Sequence, residues 1–140
     1  MLGMSEKGEI KEGDAVITHI HSATLIVEDQ DAALDFYVGK LDWEKRADAA
    51  YGDGARWVEV GPPGAVTVLA LVKPDGVDAS SEEAGKYKGI SVVTDDIDST
   101  YATLSDRGVK FVQPPGQMPW GAKATWFEDP DGNLLFLVEG

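Results

Sequence analysis

The chain has 140 residues, with 25 acidic side chains against 12 basic ones, a formal net charge of −13 and no cysteine. That length suits one domain with a real core, and the lack of cysteine excludes disulfides, thiolate metal ligation and thiol catalysis. So negative a chain is a poor partner for nucleic acid or an anionic membrane, which are bound through Lys and Arg, whereas it would attract cationic small molecules or basic proteins.

Residues 1–15 (MLGMSEKGEIKEGDA) are polar and charged and read as a flexible tail. They have no apolar signal segment, and no later run approaches membrane-span length, so a cytoplasmic location is expected. Val16 to Val27 reads as a strand, after which Asp29 or Asp31 is placed to cap a helix. Ala33, Phe36, Tyr37 and Leu41 recur there at the three-and-four spacing of a buried face, and the helix should end near Gly39. Trp43–Arg46, Ala55–Val60 and Ala65–Val72 read as three strands, divided by the turn formers of Tyr51-Gly-Asp-Gly54 and Gly61-Pro-Pro-Gly64.

Lys73 to Lys86 carries Pro, Gly, Ser and charge without periodicity and reads as a connector. A strand at Gly89–Thr94 follows, then a helix capped by Asp95 or Asp96, with Ile97, Tyr101, Leu104 and Ala102 inward and Gly108 as its stop. Val109–Val112, Ala122–Glu128 and Asn133–Val138 supply three more strands. The stretch Gln113 to Gly121 between them reads as the longest irregular piece of this half, and Asp129-Pro-Asp-Gly132 as a tight turn with Gly at its positive-φ position.

The two halves repeat one another. Ser22-Ala-Thr-Leu-Ile-Val-Glu-Asp-Gln-Asp31 recurs as Gly89-Ile-Ser-Val-Val-Thr-Asp-Asp-Ile-Asp98, 67 positions on. Trp57 and Glu59 recur as Trp126 and Glu128, 69 positions on. A self-match of such long period argues for two copies of one supersecondary unit, with function between them. The expected fold class is therefore α+β: two βαβββ modules in tandem, residues 16–72 and 88–140 of a single domain joined by a linker at 73–87, forming curved mixed sheets around a cleft.

From Ile17 to Glu139 the chain resembles the vicinal oxygen chelate superfamily of glyoxalases, extradiol dioxygenases and bleomycin-resistance proteins. The likeness rests on the V-x-D-x-x-x-A-x-x-F-Y run of Val27–Tyr37, the Gly108-Val109 pair, Trp120-Gly121 and Asp129-Pro-Asp-Gly-Asn133. It implies paired modules around a cleft, usually in a homodimer. In metal-using members it also implies one ligand from the first and one from the last strand of each module. Counted from the motifs, those positions are Ser22, Gly89, Val68 and Phe136, none of which ligates as His or a carboxylate does. No metal or other cofactor is therefore expected, and no catalytic residue is assigned.

What remains is the shape of the cleft. Ser22, Ala70 and Gly89 make room, Thr24 lies on the same strand face as Ser22, and Val68, Phe136, Trp57, Trp120 and Trp126 offer apolar and stacking surface. The ligand-binding candidates are thus Ser22, Thr24, Trp57, Val68, Gly89, Trp120, Trp126 and Phe136. The expected function is metal-free binding of a cationic or aromatic small molecule, in the manner of bleomycin-resistance proteins. The alternative is a glyoxalase-like lyase or a dioxygenase, with a carboxylate base (Glu59 or Glu128) or a relocated metal site using His21 with Glu128 or Glu139. His19 and His21 are the two histidines of the chain, and strand alternation would put both on the face opposite Ser22.

Overall fold

A computed structural model describes Gly13 and residues 15–77 and 87–140. The expected tail therefore falls largely outside the described residues, as does most of the connector, of which Pro74–Val77 forms a 3-10 turn.

The first module runs β1 (Ser22–Ile26), α1 (Gln30–Leu34), β2 (Glu44–Tyr51), β3 (Ala55–Gly61) and β4 (Val68–Val72). Its sheet has the order β1-β4-β3-β2, with β1 parallel to β4 and the other pairs antiparallel. The second runs β5 (Tyr87–Thr94), α2 (Ile97–Asp106), β6 (Lys110–Phe111), β7 (Gly116–Gln117), β8 (Lys123–Glu128) and β9 (Leu134–Glu139). Its sheet has the order β5-β9-β8-β6, with β7 on the other stretch of β8 and β5 parallel to β9. Both sheets are open, and the α+β expectation holds.

Each helix starts where the sequence supplies a cap, and the structure chooses between the alternatives. Asp29 accepts from the backbone N–H groups of Asp31 and Ala32 at 2.9 and 3.0 Å, and Asp96 accepts from that of Ser99 at 3.1 Å. Such caps contribute about 1 kcal/mol each. Past Leu34 the first helix widens into a π-type segment, Asp35–Lys40, in which the N–H of Leu41 reaches back to the carbonyl of Phe36. That widening carries the helix just beyond Gly39 and leaves Leu41 half-buried rather than buried.

Several expected boundaries move for one physical reason, the position of a pairing partner. β1 begins at Ser22 and not at Val16 because β4, its partner, begins opposite it at Val68. Upstream, Val16, Ile17 and Ile20 are exposed. β2 extends to Tyr51 rather than stopping at Arg46, because β3 pairs along its length. Within the expected irregular stretch, β7 pairs with Lys123 and Ala124. Ala102 faces solvent, while Ile97 and Leu104 go inward as expected.

One core joins the modules. It takes Leu25, Val58, Val60, Leu69 and Leu71 from the first sheet, Phe127, Leu135 and Leu137 from the second, and Phe36, Tyr37, Ile97 and Leu104 from the helical segments. Burying each large side chain is worth about 1.5–3 kcal/mol. Polar ties cross the same seam: the Asn133 amide donates to the carbonyl of Ile26 at 3.0 Å, and the N–H of Glu28 donates to Asp131 at 3.0 Å. The Arg107 guanidinium, just past α2, meets Asp42 at 2.7 Å. Because the inner faces of both sheets enter this shared core, their other faces are turned outward.

Candidate functional site

Register settles which side chains share the outer face of the first sheet. Ser22 pairs with Val68 and Thr24 with Ala70; Ala70 pairs with Glu59; and Glu59 pairs with Ala47, and Trp57 with Ala49. Directly paired residues point the same way, so Ser22, Thr24, Trp57, Glu59, Val68 and Ala70 lie on one surface. The Trp57 indole donates to Oε2 of Glu59 at 2.9 Å. His21 precedes β1, so strand alternation does not govern it. Its Nε2 lies 3.9 Å from the same oxygen, contrary to the expectation that it would face away from Ser22.

On the outer face of the second sheet Phe136 is the centre. Ser91 pairs with it from β5 and Trp126 from β8. The rings of Trp126 and Phe136 lie 4.9 Å apart at 54°, and the Trp120 ring lies 6.4 Å from Phe136 at 46°. Trp120 is carried by the turn joining β7 to β8, which is closed by hydrogen bonds between Met118 and Ala122 and between Gly121 and Met118. Gly121 takes a φ of 100° there, a conformation that disfavours any side chain.

Seven of the eight candidates therefore form two groups, and Gly89 stands apart. Trp120, Trp126 and Phe136 make one aromatic surface, while Ser22, Thr24, Trp57 and Val68 lie on the outer face of the other sheet. Gly89 sits at an irregularity of β5, between Tyr87 and Ser91, with a φ of 76°. Val68 and Gly89 also border a cavity of about 970 Å³ between the modules, lined by Ala23, Leu69, Ile90, Val92 and Leu104 among others. That hollow runs along the unpaired edges of β1 and β5 and includes none of the tryptophans of the aromatic surface. The aromatic surface is the better candidate for ligand recognition, because stacking planes converge there.

The residues present do not fit a metal. Thr24 and Ser91 are equivalent by the internal repeat, so their partners Ala70 and Phe136 are equivalent too. The register thus moves the last-strand position of the first module from Val68 to Ala70, which supplies no donor either. Among the described residues no three His, Asp or Glu side chains gather into a possible metal cluster. His21 approaches Glu59 of its own module, and Glu139 accepts from the first N–H of α2, at Ile97, at 3.0 Å.

Ala47 and Ala49 contribute to the outer face without having been foreseen. The alternation Ala47-Asp48-Ala49 carries little hydrophobic signal, and the period-two register of small residues was the sole clue available. Among the described residues no helix is long and apolar enough to cross a membrane.

The family profile of the Glyoxalase/Bleomycin resistance protein/Dioxygenase superfamily matches residues 19–137. A solved member of that superfamily from Sphaerobacter thermophilus is 51% identical, with a TM-score of 0.82, over 90% of this chain and 100% of its own. TnmS3, an antibiotic binding protein from Streptomyces sp., is 35% identical with a TM-score of 0.74, over 89% of this chain and 98% of its own. A probable lactoylglutathione lyase from Synechocystis sp. is 31% identical over 117 residues, 81% of this chain and 88% of its own.

Proposed function

Because the chain belongs to the glyoxalase/bleomycin resistance protein/dioxygenase superfamily, we propose that it is a metal-free binding protein for a flat, aromatic small molecule. The observation that carries this reading is Phe136 flanked by Trp126 and Trp120. An aromatic side chain occupies the place where the superfamily resemblance implies a metal-binding carboxylate, and two indoles stand beside it. Such a surface binds by stacking and apolar burial, and offers no Lewis acid. The 35% identity to an antibiotic binding protein supports the binding of a small molecule.

The complete site takes two copies of the chain. Within one copy the two candidate surfaces belong to outer faces of different sheets, and β1 and β5 each keep an unpaired edge. A homodimer that sets the first module of one copy beside the second module of the other would bring Trp57 and Thr24 opposite the aromatic cluster and cover both edges. The location is cytoplasmic in this reading.

Thermal melting with a panel of planar aromatic compounds tests the proposal, since a ligand that binds the native state must raise the melting temperature. Stabilisation by such compounds, lost in Phe136→Ala, is expected. No stabilisation by any of them, together with clear stabilisation by a divalent metal, would overturn it.

The contact between His21 and Glu59 favours one rival, a lyase or dioxygenase using Glu59 as a base. The 31% identity to a probable lactoylglutathione lyase is consistent with that rival. Turnover of a 2-oxoaldehyde thiol adduct that vanished in Glu59→Gln would establish it.

A further inference from the structure

The half-buried carboxylate of Glu59 lacks the partners that the buried carboxylate of Asp129 possesses. Its side chain is 13% exposed, and it accepts one hydrogen bond, from Trp57, on Oε2. Among the described residues Oε1 accepts none. An ionised carboxylate has about four lone-pair sites to satisfy, and leaving them unmet away from water is costly. Asp129 shows the contrast: it accepts from the Tyr37 hydroxyl, from the backbone N–H groups of Asp131 and Asn133 and from the Asn133 amide, each at 2.9 Å.

Small side chains and one indole flank Glu59 on the outer face. The residues directly opposite it on the neighbouring strands are small, the half-buried Ala47 and the buried Ala70. Trp57 fixes the carboxylate with its N–H and presents its ring on the same outer face. Among the described residues the one basic group in reach, His21, stands at 3.9 Å, beyond hydrogen-bond distance, with its side chain 69% exposed. It comes from the segment just ahead of β1, where its carbonyl accepts from the N–H of Val68 at 3.0 Å while its imidazole stays exposed.

We infer that Glu59 is the charge-recognising residue of the site, and that the natural ligand carries a protonated amine beside its flat body. The ammonium group would take the open oxygen of Glu59 in a charge-assisted hydrogen bond and lie against Trp57 in a cation–π contact, displacing His21. The inference rests on the small-molecule-binding reading above, and it narrows the ligand class. One carboxylate with a distant imidazole is too small a donor set for a metal, whereas it suits a monovalent organic cation.

The test compares 2-naphthylmethylamine, protonated at pH 7.5, with 2-naphthalenemethanol, its neutral analogue, by calorimetric titration of the full chain. The wild type should bind the amine about tenfold more tightly. Glu59→Gln, which can still accept from Trp57, should lose that preference while keeping its affinity for the alcohol. Equal affinities in the wild type, or a preference that survives Glu59→Gln, would overturn the inference and leave the binding reading intact. Binding of neither compound would remove both. Should Glu59→Gln fail to fold, the wild-type preference still decides, because it must shrink as salt is raised from about 50 to 500 mM, over which the Debye length falls roughly threefold.

Discussion

The hydroxyl of Tyr37, on the first module, donates to Oδ2 of Asp129, on the second, at 2.9 Å across 92 positions of sequence. Both residues are buried. Asp129 also accepts from the backbone and the side-chain amide of Asn133, so the Asp129-Pro-Asp-Gly132 turn is both a turn and a clasp on the neighbouring helical segment.

Removing that hydroxyl should weaken the clasp without emptying it. Tyr37→Phe leaves Asn133 as a donor to Asp129, so the expected loss is about 1–2 kcal/mol of unfolding free energy, read by urea denaturation. The pH dependence has a defined sign. Burial, reinforced by the Asp129 charge, holds the Tyr37 phenol well above its ordinary value. Its contribution is therefore present below about pH 10, the unfolded value, and lost as pH rises toward the folded one. The variant should lose less stability than the wild type above that pH.

Asp131 behaves in the opposite sense from an ordinary surface carboxylate. Burial raises its pKa, and the nearby charges of Asp129 and Asp29 push the same way, against the hydrogen bond from Glu28. A raised carboxylate favours the fold when protonated, and that contribution is lost as pH rises through its folded value. Asp131→Asn keeps the acceptor and removes the charge. It should gain a few tenths of a kcal/mol at pH 7, allowing for solvent screening, and match the wild type near pH 3. Chemical denaturation at the two pH values reads both.

Trp120 is 65% exposed, so Trp120→Ala should change unfolding free energy by less than about 0.5 kcal/mol. Affinity for a naphthalene ring should nevertheless fall about three- to tenfold, the worth of one aromatic pair. An unchanged affinity, measured by calorimetry, would remove Trp120 from the site.

Purified without tag or chelator, the protein should hold less than about a tenth of an equivalent of metal by plasma mass spectrometry. Its melting temperature should not respond to added nickel, zinc, manganese or iron. Near-stoichiometric metal would restore a relocated site at His21, Glu128 or Glu139.

Light scattering coupled to gel filtration should give the mass of two chains. Val93 is 67% exposed on the unpaired edge strand β5, and Val93→Lys should shift that mass toward one chain and weaken ligand binding with it. A wild type that binds ligand as a single chain would confine the site to one copy.

Much of this molecule was legible in the sequence because much of it is local. The aspartates at 29 and 31 and at 95 and 96 announce helix starts because a short acceptor can satisfy a free backbone N–H two or three residues on, and the structure selects Asp29 and Asp96. Alternation along Ser22–Val27 and Gly89–Thr94 announces strands, and the long-period repeat announces two modules. The absence of a metal ligand at Ser22, Gly89 and Phe136 is a matter of residue type, which folding does not alter. Tertiary structure alone decided the rest. Pairing with β4 set where β1 begins, exchanged Val68 for Ala70 as the counterpart of Phe136, and turned the outer faces of the two sheets away from a shared core. It also brought Glu59 between two alanines and His21 beside it. These outcomes depend on register and on which face a strand buries. A slip of one residue reverses every side chain of a strand, so such outcomes are fixed by contacts between residues far apart in the chain rather than by the local pattern of any one segment.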